Sequence, residues 1–274
     1  MRVPVMRPDI KKYPRTCHLR GSRFQHGDHD MEAVAWEELA GKHLIVEEKV
    51  DGANCGISFS SDGELLLQSR GHYLHGGPRE RQFDLLKQWS AARHDELFCA
   101  LGDRYVMYAE WLAAKHTYFY DALPHYFMEF DVLDTKNDVF LSTEARHDLL
   151  CHTHTAWNIV CPVLVLADGK FDNLKELASM LGRSKFITDE RFTNLRAAAV
   201  NAGVAIEDAL QHTDMDEHME GLYVKWEEDG IVKGRYKYVR DTFTNAILDQ
   251  EQHWHDRPII QNKLAEGALE RMFM

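Results

Sequence analysis

A chain of 274 residues can bury a sizeable core, and its 45% hydrophobic and 28% charged residues are typical of an ordinary globular protein. No apolar run approaches the ~20 residues of a membrane span, and the N-terminus lacks the apolar core of a signal peptide. Five widely spaced cysteines fit reduced thiols, so we expect a cytoplasmic protein without membrane partners. The net charge of −12 argues against a general nucleic-acid binder, whose affinity comes from neutralising phosphates.

Strand signals dominate the first half of the chain. Strands are predicted over 44–46, 56–59, 65–67, 105–110 and 126–133. Ser61-Asp62-Gly63 predicts a hairpin turn between two of them. The spacing of Phe83, Leu86 and Trp89 predicts a helix over 80–98.

The second half is predicted to be mostly helical. The pattern is helical from Thr143 to about Val200, with a short strand over 163–165. Two further strands, over 222–225 and 234–239, form a predicted hairpin around Asp229-Gly230. The chain is predicted to be helical from Asp241 to its end. These elements indicate a mostly antiparallel α+β fold. We predict a domain over 1–240 with a helical insertion at about 143–215, followed by a short helical extension over 241–274.

Lys49 is the first candidate for chemistry. It lies in the run Glu-Glu-Lys-Val-Asp-Gly-Ala-Asn at 47–54, at the end of a predicted strand and before a glycine turn. An amine must lose its proton to attack, and partial burial can lower its pKa. Lys49 is therefore a candidate nucleophile. An ordinary exposed lysine in a hairpin is the alternative interpretation of this run alone.

Lys49-Val50-Asp51-Gly52-Ala53-Asn54 resembles the first motif of the covalent nucleotidyltransferases, which include ATP-dependent DNA and RNA ligases and mRNA capping enzymes. Five later segments resemble further motifs of that superfamily in the same order: Ser69-Arg70-Gly71, Ala109-Glu110-Trp111, Phe127 to Val132, Glu220 to Lys225, and Arg235-Tyr236-Lys237. Ala109 and Arg235 replace the usual glycine and lysine. Each match is short, but six in order identify the chain as a member of the superfamily.

The resemblance implies a role for each matched residue. Lys49 would attack the α-phosphate of a nucleotide and hold the nucleotidyl group as a phosphoramidate. The other implied roles are phosphate contact for Arg70, ribose contact for Glu110, base stacking for Phe130 with Phe127 as the other candidate, metal and phosphate contact for Glu220, and charge neutralisation for Lys225, Arg235 and Lys237. Glu47 completes the nucleotide-binding set. The implied catalytic residues are Lys49, Asn54, Glu220 and Lys237.

Several features resemble the RNA ligase branch in particular. They are Asn54, the pair Lys115-His116 that follows Glu110, and the basic opening of the chain, which holds seven Lys/Arg and one acid over residues 1–23. The candidates for RNA or phosphate binding are Arg15, Arg20, Arg23, Lys115 and His116. A solvated tail is the alternative interpretation of the opening, and a loop without a ligand is that of Lys115-His116.

The branch implies an ATP-dependent RNA ligase. Such an enzyme joins a 5′-phosphate to a 3′-hydroxyl through lysyl-AMP and an adenylylated RNA end, using Mg²⁺ or Mn²⁺ held mainly through water and phosphate. The expected partners are RNA ends and separate end-healing enzymes.

The implied fold is the two-sheet nucleotidyltransferase domain. Only 34 residues follow Arg240, so we expect no oligonucleotide-binding (OB) domain of the kind that DNA ligases and capping enzymes append. The alternatives are a DNA nick-sealing ligase, a GTP-dependent capping guanylyltransferase, and a non-catalytic RNA-end-binding module.

Overall fold

The computed structural model describes residues 8–24, 32–152, 159–243 and 258–273, which form an α+β fold with two sheets. The strands are β1 (Cys17–Leu19), β2 (Ala33–Val34), β3 (Leu44–Lys49), β4 (Ala53–Phe59), β5 (Leu65–Ser69), β6 (Tyr105–Trp111), β7 (Phe127–Asp134), β8 (Val139–Phe140), β9 (Cys161–Pro162), β10 (Val165–Gly169), β11 (Gly221–Glu228) and β12 (Ile231–Val239). The helices are α1 (Asp84–Ala92), α2 (His94–Leu101), α3 (Thr143–His152), α4 (Leu174–Ala178), α5 (Arg191–Asn201), α6 (Ile206–Gln211) and α7 (Ala268–Phe273), with 3-10 helices at Trp36–Glu38 and Pro78–Phe83.

The first sheet has the strand order β10-β3-β11-β12-β1-β2. The β11–β12 hairpin turns at Asp229 and Gly230, which both have positive φ, 56° and 76°. Two consecutive residues with positive φ are the signature of a type I′ turn, whose twist matches that of the paired strands. The predicted hairpin is confirmed. In the β3–β11 pairing Gly221 lies opposite Lys49, so the register of this sheet positions the candidate nucleophile.

The second sheet has the order β5-β4-β6-β7-β8, and β9 pairs with β7 in parallel. All eight residues of β7 are buried, because both faces of the strand are covered. Phe127 lies 5.2 Å from the ring of Trp89 on α1, whereas Phe130 lies 6.1 Å from the ring of Tyr223 on β11, between centroids. Side chains alternate between faces along a strand. Of the two candidates for base stacking, Phe130 is therefore the one directed at the first sheet.

The helix predicted over 80–98 is interrupted. Residues 78–83 form a 3-10 helix, α1 follows it, and α2 begins after Arg93, whose φ of −109° and ψ of 21° are not helical. Contacts with other parts of the chain account for the break, since the His94 ring donates a hydrogen bond to the carbonyl of Gly63 at 3.0 Å. The segment 143–215 contains helices, but it also contributes a strand to each sheet. β10 belongs to the first sheet, and β9 pairs with β7 of the second.

The prediction of a helix from Asp241 onward is wrong for residues 258–267. Residues 244–257 lie outside the described part of the chain. From Pro258 the backbone is extended, with bridges from Gln261 to Ala114 and from Leu264 to Leu123, and the helix α7 starts only at Ala268. The extended backbone finds its hydrogen-bond partners in the segment after β6, which a helix would not allow.

All five cysteines are unpaired, as expected for reduced thiols. No helix among the described residues has the length and apolar character that crossing a membrane requires.

The extended C-terminal segment is held by Asn262, which is 2% exposed. Its side chain accepts a hydrogen bond from the amide of Tyr120 at 2.9 Å and donates one to the carbonyl of Leu112 at 2.8 Å. Asn262→Ala leaves both buried backbone groups without these partners. We expect the free energy of unfolding to fall by about 1–3 kcal/mol, as measured by urea denaturation.

Lys263→Ala is the matched control, because Lys263 is the exposed neighbour of Asn262 and its side chain donates a hydrogen bond to Asn194 at the surface. It should change stability by less than about 0.5 kcal/mol. Equal stability of the two variants would show that Asn262 does not anchor the segment.

Candidate active site

A cavity of about 790 Å³ opens between the two sheets. The first sheet contributes Lys49 and Lys237 to its lining, and Glu220 lines it from the residue before β11. The second sheet contributes Asn54, Glu110 and Phe130. Ten of the sixteen residues singled out in the sequence line this cavity: Glu47, Lys49, Asn54, Arg70, Glu110, Lys115, His116, Phe130, Glu220 and Lys237.

Lys49 forms an ion pair within the cavity. Its Nζ lies 2.7 Å from Oε1 of Glu220, and 21% of its side chain is exposed. Burial alone would lower the pKa of Lys49, but the carboxylates of Glu220, Glu110 and Asp51 outweigh burial and raise it. The pKa of Lys49 is therefore raised and not lowered as burial alone would do, because the acids that flank Lys49 stabilise its charged form.

The turn after Lys49 is fixed from both sides. The Asp51 carboxylate accepts hydrogen bonds from the amides of Thr117 and Tyr118, both at 2.7 Å. The Gly52 amide donates to Glu110 at 3.2 Å. A Cβ on residue 52 would lie 2.6 Å from the carbonyl oxygen of Trp111, so only glycine fits here. Asp51 and Gly52 thus hold the turn against the second sheet and set the direction of Lys49.

Two carboxylates face the nucleophile and fit a divalent metal. Glu220 is 1% exposed, and Glu110 is near enough to interact electrostatically with both Lys49 and Glu220. Within the described chain, no cluster of three or more His, Cys, Asp or Glu side chains could enclose an ion. Mg²⁺ commonly binds one or two carboxylates and keeps its waters and phosphate ligands. The residues present fit such a loosely held ion.

The opposite end of the cavity is aromatic. Phe130, Tyr13 and Tyr223 all line it, and the rings of Phe130 and Tyr13 are 5.1 Å apart and nearly perpendicular. The Tyr13 hydroxyl donates to Asp131 at 2.5 Å. A flat apolar surface with polar groups at its edge suits a nucleobase. Tyr13, in the opening of the chain, was not singled out from the sequence.

Lys225 and Arg235 are not among the residues that line the cavity. Lys225 is fully buried, where its Nζ lies 3.0 Å from Glu47 and 3.3 Å from Asp131 and also donates to the carbonyl of Phe130. Arg235 donates to Asp131 at 3.0 Å. The geometry gives both residues internal carboxylate partners in place of the nucleotide phosphates that the resemblance implies.

A short part of the basic opening lines the site. Pro14 and Thr16 line the cavity with Tyr13, but Arg15, Arg20 and Arg23 do not. The Arg23 guanidinium donates to the carbonyl of Asp241 at 2.5 Å. The interpretation of this segment as a placed loop fits its contacts, whereas RNA binding by its three arginines stays a prediction.

Lys115 and His116 line the cavity. The ammonium of Lys115 is hydrogen-bonded to backbone carbonyls, and the ring of His116 is uncharged. Lys115 donates to the carbonyls of His116 and His212 at 2.9 and 2.6 Å. Burial and the adjacent Lys115 lower the pKa of His116 to about 4, so its ring is neutral near neutral pH. Their phosphate-binding role stays a prediction, and the contacts show that they tie this loop to the end of α6.

Some lining residues carried no signal in the sequence. They are Glu48, Arg79, Arg81, Asp208, His212 and the segment 258–260. The exposed arginines Arg79 and Arg81 stand in the run Arg79-Glu80-Arg81, which a charge count could have noted. Glu48 lies on β3 directly before Lys49. Asp208, His212 and the segment 258–260 reach the cavity through the tertiary placement of α6 and the C-terminal segment, which no local pattern predicts.

A model of the RNA ligase family matches residues 42–239, well over half of the chain. The chain belongs to the RNA ligase family. The matched range contains every residue of the two-sheet core that lines the candidate site, from Glu47 to Lys237. A comparison with curated protein sequences found no match.

Solved structures of Naegleria gruberi RNA ligase variants are similar to this family member. A variant with ATP and Mn is 18% identical with a TM-score of 0.48, and the alignment covers 75% of this chain and 52% of that chain. A variant with AMP and Mn is 19% identical with a TM-score of 0.47 and the same coverage. An apo variant is 19% identical with a TM-score of 0.48, covering 78% and 53%. The chain thus spans about half the length of these proteins.

Glu48, beside the nucleophile, makes the stability of this RNA ligase family member depend on pH. Burial raises the pKa of Glu48 to about 7, although Ser184 and the amide of Lys185 donate to its carboxylate and oppose the rise. The pKa of Glu48 is lower in the unfolded chain, so rising pH removes the proton there first. The free energy of unfolding therefore falls by up to roughly 3 kcal/mol between about pH 4 and pH 7.

Glu48→Gln should remove much of that decrease, so the variant should gain stability over the parent at about pH 8 but not at about pH 5. Urea denaturation at both values measures this. Glu228→Gln, an exposed change of the same type, is the control. An unchanged pH profile for Glu48→Gln would show that ionisation of Glu48 does not lower the free energy of unfolding.

Proposed function

We propose that this protein is an ATP-dependent RNA ligase that joins a 5′-phosphate to a 3′-hydroxyl through a lysyl-AMP intermediate. The supporting observation is the position of Lys49, at 2.7 Å from Glu220 in a cavity that also presents Glu110, Lys237 and an aromatic wall. These groups supply a nucleophile, acidic metal ligands, a cation for phosphate and a surface for a base, all within the RNA ligase segment of the chain.

The proposed reaction has three steps. Lys49 Nζ loses a proton and attacks the α-phosphorus of ATP, so that a P–N bond forms and the bond to pyrophosphate breaks. An oxygen of the RNA 5′-phosphate then attacks the same phosphorus, which breaks the P–N bond and returns the amine. Finally the 3′-hydroxyl attacks the 5′-phosphorus of the RNA and releases AMP. Lys237 stabilises negative charge on the transferred phosphate.

The chain's own residues divide these tasks by position. Phe130 with Tyr13 and Tyr223 would hold the base, and Glu110 would accept from the ribose. Glu220 would take part in binding Mg²⁺ or Mn²⁺, whose chemistry is to neutralise charge on the phosphates. The ion pair between Lys49 and Glu220 keeps the amine within the cavity before the nucleotide binds.

The proposal extends to the setting of the reaction. We propose that residues 1–240 form the adenylylation domain and that the extension 241–274 adds Pro258 and Ile260 to the cavity wall, where both residues lie. We further propose a cytoplasmic protein acting on RNA ends prepared by separate healing enzymes. The five free thiols support the compartment.

Lys49→Ala tests the nucleophile. The variant should form no covalent adduct with ATP and magnesium, because no amine is left at this position, yet it should seal RNA that already carries a 5′-adenylate. Intact-mass spectrometry after incubation with each NTP measures the adduct, and its mass identifies the base. An adduct on GTP alone would instead support the capping enzyme.

Lys170→Ala is the control, since Lys170 is exposed and lies outside the cavity lining. It should form the adduct as the parent does. An adduct of normal yield on Lys49→Ala protein would rule out Lys49 as the nucleophile.

Asn54 lines the cavity, and its buried Oδ1 accepts no hydrogen bond from any residue that the structure describes. A buried acceptor without a donor fits a group that a bound ligand completes. Asn54→Ala should leave lysyl-AMP formation largely intact and slow RNA adenylylation or sealing, by about tenfold or more for one lost hydrogen bond to a charged group. Single-turnover assays separate the steps. If adduct formation falls as much as overall sealing, Asn54 acts in the first step.

A further inference from the structure

Two arginines at the mouth of the cavity have no role so far. Arg79 and Arg81 line the cavity from the 3-10 helix Pro78–Phe83, and both are exposed. Neither forms an ion pair with another described residue, in contrast to Arg146 and Arg240, which are buried against carboxylates. We propose that Arg79 and Arg81 bind the phosphodiester backbone of the RNA substrate where it enters the active site.

The segment that carries them is rigidly attached. Glu80, between the two arginines, is 8% exposed and turns away from solvent. Its carboxylate accepts from the amides of His75 and Gly76 at 3.1 and 2.7 Å, and Lys87 Nζ lies at 2.9 Å. The carboxylate of Glu80 is therefore bonded to groups within the segment and to Lys87, and it does not form an ion pair with the neighbouring arginines.

Gln82 fixes the same segment to the site. Its carbonyl accepts from Trp111 Nε1 at 2.7 Å, and its side-chain oxygen accepts from His116 at 3.1 Å. Exposed and buried residues alternate along this segment. Glu80 and Gln82 are buried and hold it in place, whereas Arg79 and Arg81 are exposed. A fixed backbone that presents two free guanidinium groups is suited to phosphate, which arginine binds with paired donors.

The position favours RNA over the nucleotide. Arg70, at the end of β5, leads into this segment, and its neighbour Ser69 pairs with Cys55 beside Asn54. Gln82, next to Arg81, bonds Trp111, which pairs with Ala53 beside Asn54. These contacts place the arginine segment near Asn54, whereas Phe130 packs against Tyr223. With a net charge of −12, the protein gains little from long-range attraction. Exposed local cations are what an extended polyanion requires.

The test compares the double variant Arg79→Ala/Arg81→Ala with Lys175→Ala/Arg196→Ala. Both remove two exposed positive charges, and the control pair lies outside the cavity lining. The probe is a short RNA carrying a 5′-adenylate, sealed to a 3′-hydroxyl strand over a series of salt concentrations. Adduct formation with ATP and magnesium is measured in parallel.

We expect the KM for the adenylylated RNA to rise roughly tenfold for each arginine removed. The dependence of log(kcat/KM) on log salt should become shallower by about 1.4 for a single strand, since two phosphate contacts are lost. Adduct formation and its requirement for ATP should not change. The control variant should match the parent in all three measurements.

Two outcomes would overturn the inference. Parent-like KM and salt dependence in the Arg79→Ala/Arg81→Ala protein would show that the arginines do not contact RNA. A raised ATP requirement with unchanged RNA kinetics would assign them to the triphosphate. The inference rests on the proposed ligase function but can fail separately, because that function fails only if the parent protein itself neither forms the adduct nor seals adenylylated RNA.

Discussion

A buried network of charges joins the two sheets, and the candidate site is built on it. Its members are Glu47 on β3, Lys225 on β11, Arg235 on β12, Glu129 and Asp131 on β7, and Arg146 on α3. Arg146 is fully buried and reaches Glu47 at 2.6 Å and Glu129 at 2.8 Å, so one guanidinium bridges the sheets. Burying one of these charges without a partner would lower the stability of the fold by roughly several kcal/mol. The groups are therefore stable in the interior only as a paired network.

The network determines where the base end of the cavity lies. Lys225 donates to the carbonyl of Phe130, and the Tyr13 hydroxyl donates to Asp131. The aromatic residues at this end are thus tied to the buried charges through their backbone or their hydroxyl. Burial opposes the charge on Asp131, but Lys225, Arg235 and Arg146 outweigh it and hold its pKa below the usual range. Asp131 therefore stays an acceptor for Tyr13 across the physiological range.

The sequence predicted the parts of the structure that local rules control. The strands of both sheets follow the apolar runs, and Asp229-Gly230 adopts the positive φ values that the turn requires. Lys49 lies at the end of β3 as expected, because a strand followed by a glycine turn is a local pattern. The motif order also identified part of the cavity lining, since those segments occupy neighbouring strand ends.

The rest depends on distant contacts. Lys225 sits in a motif-like segment, yet its neighbours across the sheets, Glu47 and Asp131, decide that its ammonium is buried and away from the cavity. The extended form of residues 258–267 is set by partners such as Leu112 and Tyr120, which a helical periodicity in the tail cannot reveal. The pKa of Lys49 rises because Glu110 on β6 and Glu220 just before β11, both distant in sequence, lie near it.

The division of cations between these two environments explains how an acidic protein can handle phosphates. Three cations form ion pairs with internal carboxylates and hold the sheets together: Arg146, Lys225 and Arg235. The cavity keeps Lys49 and Lys237 near the chemistry, and the exposed Arg70, Arg79 and Arg81 stand at its rim. The cavity lining thus keeps several cations although the net charge of the chain is −12. Because the Debye length in physiological salt is about 8 Å, the proposed binding of phosphate would depend on direct contact with these groups and not on the field of the whole protein.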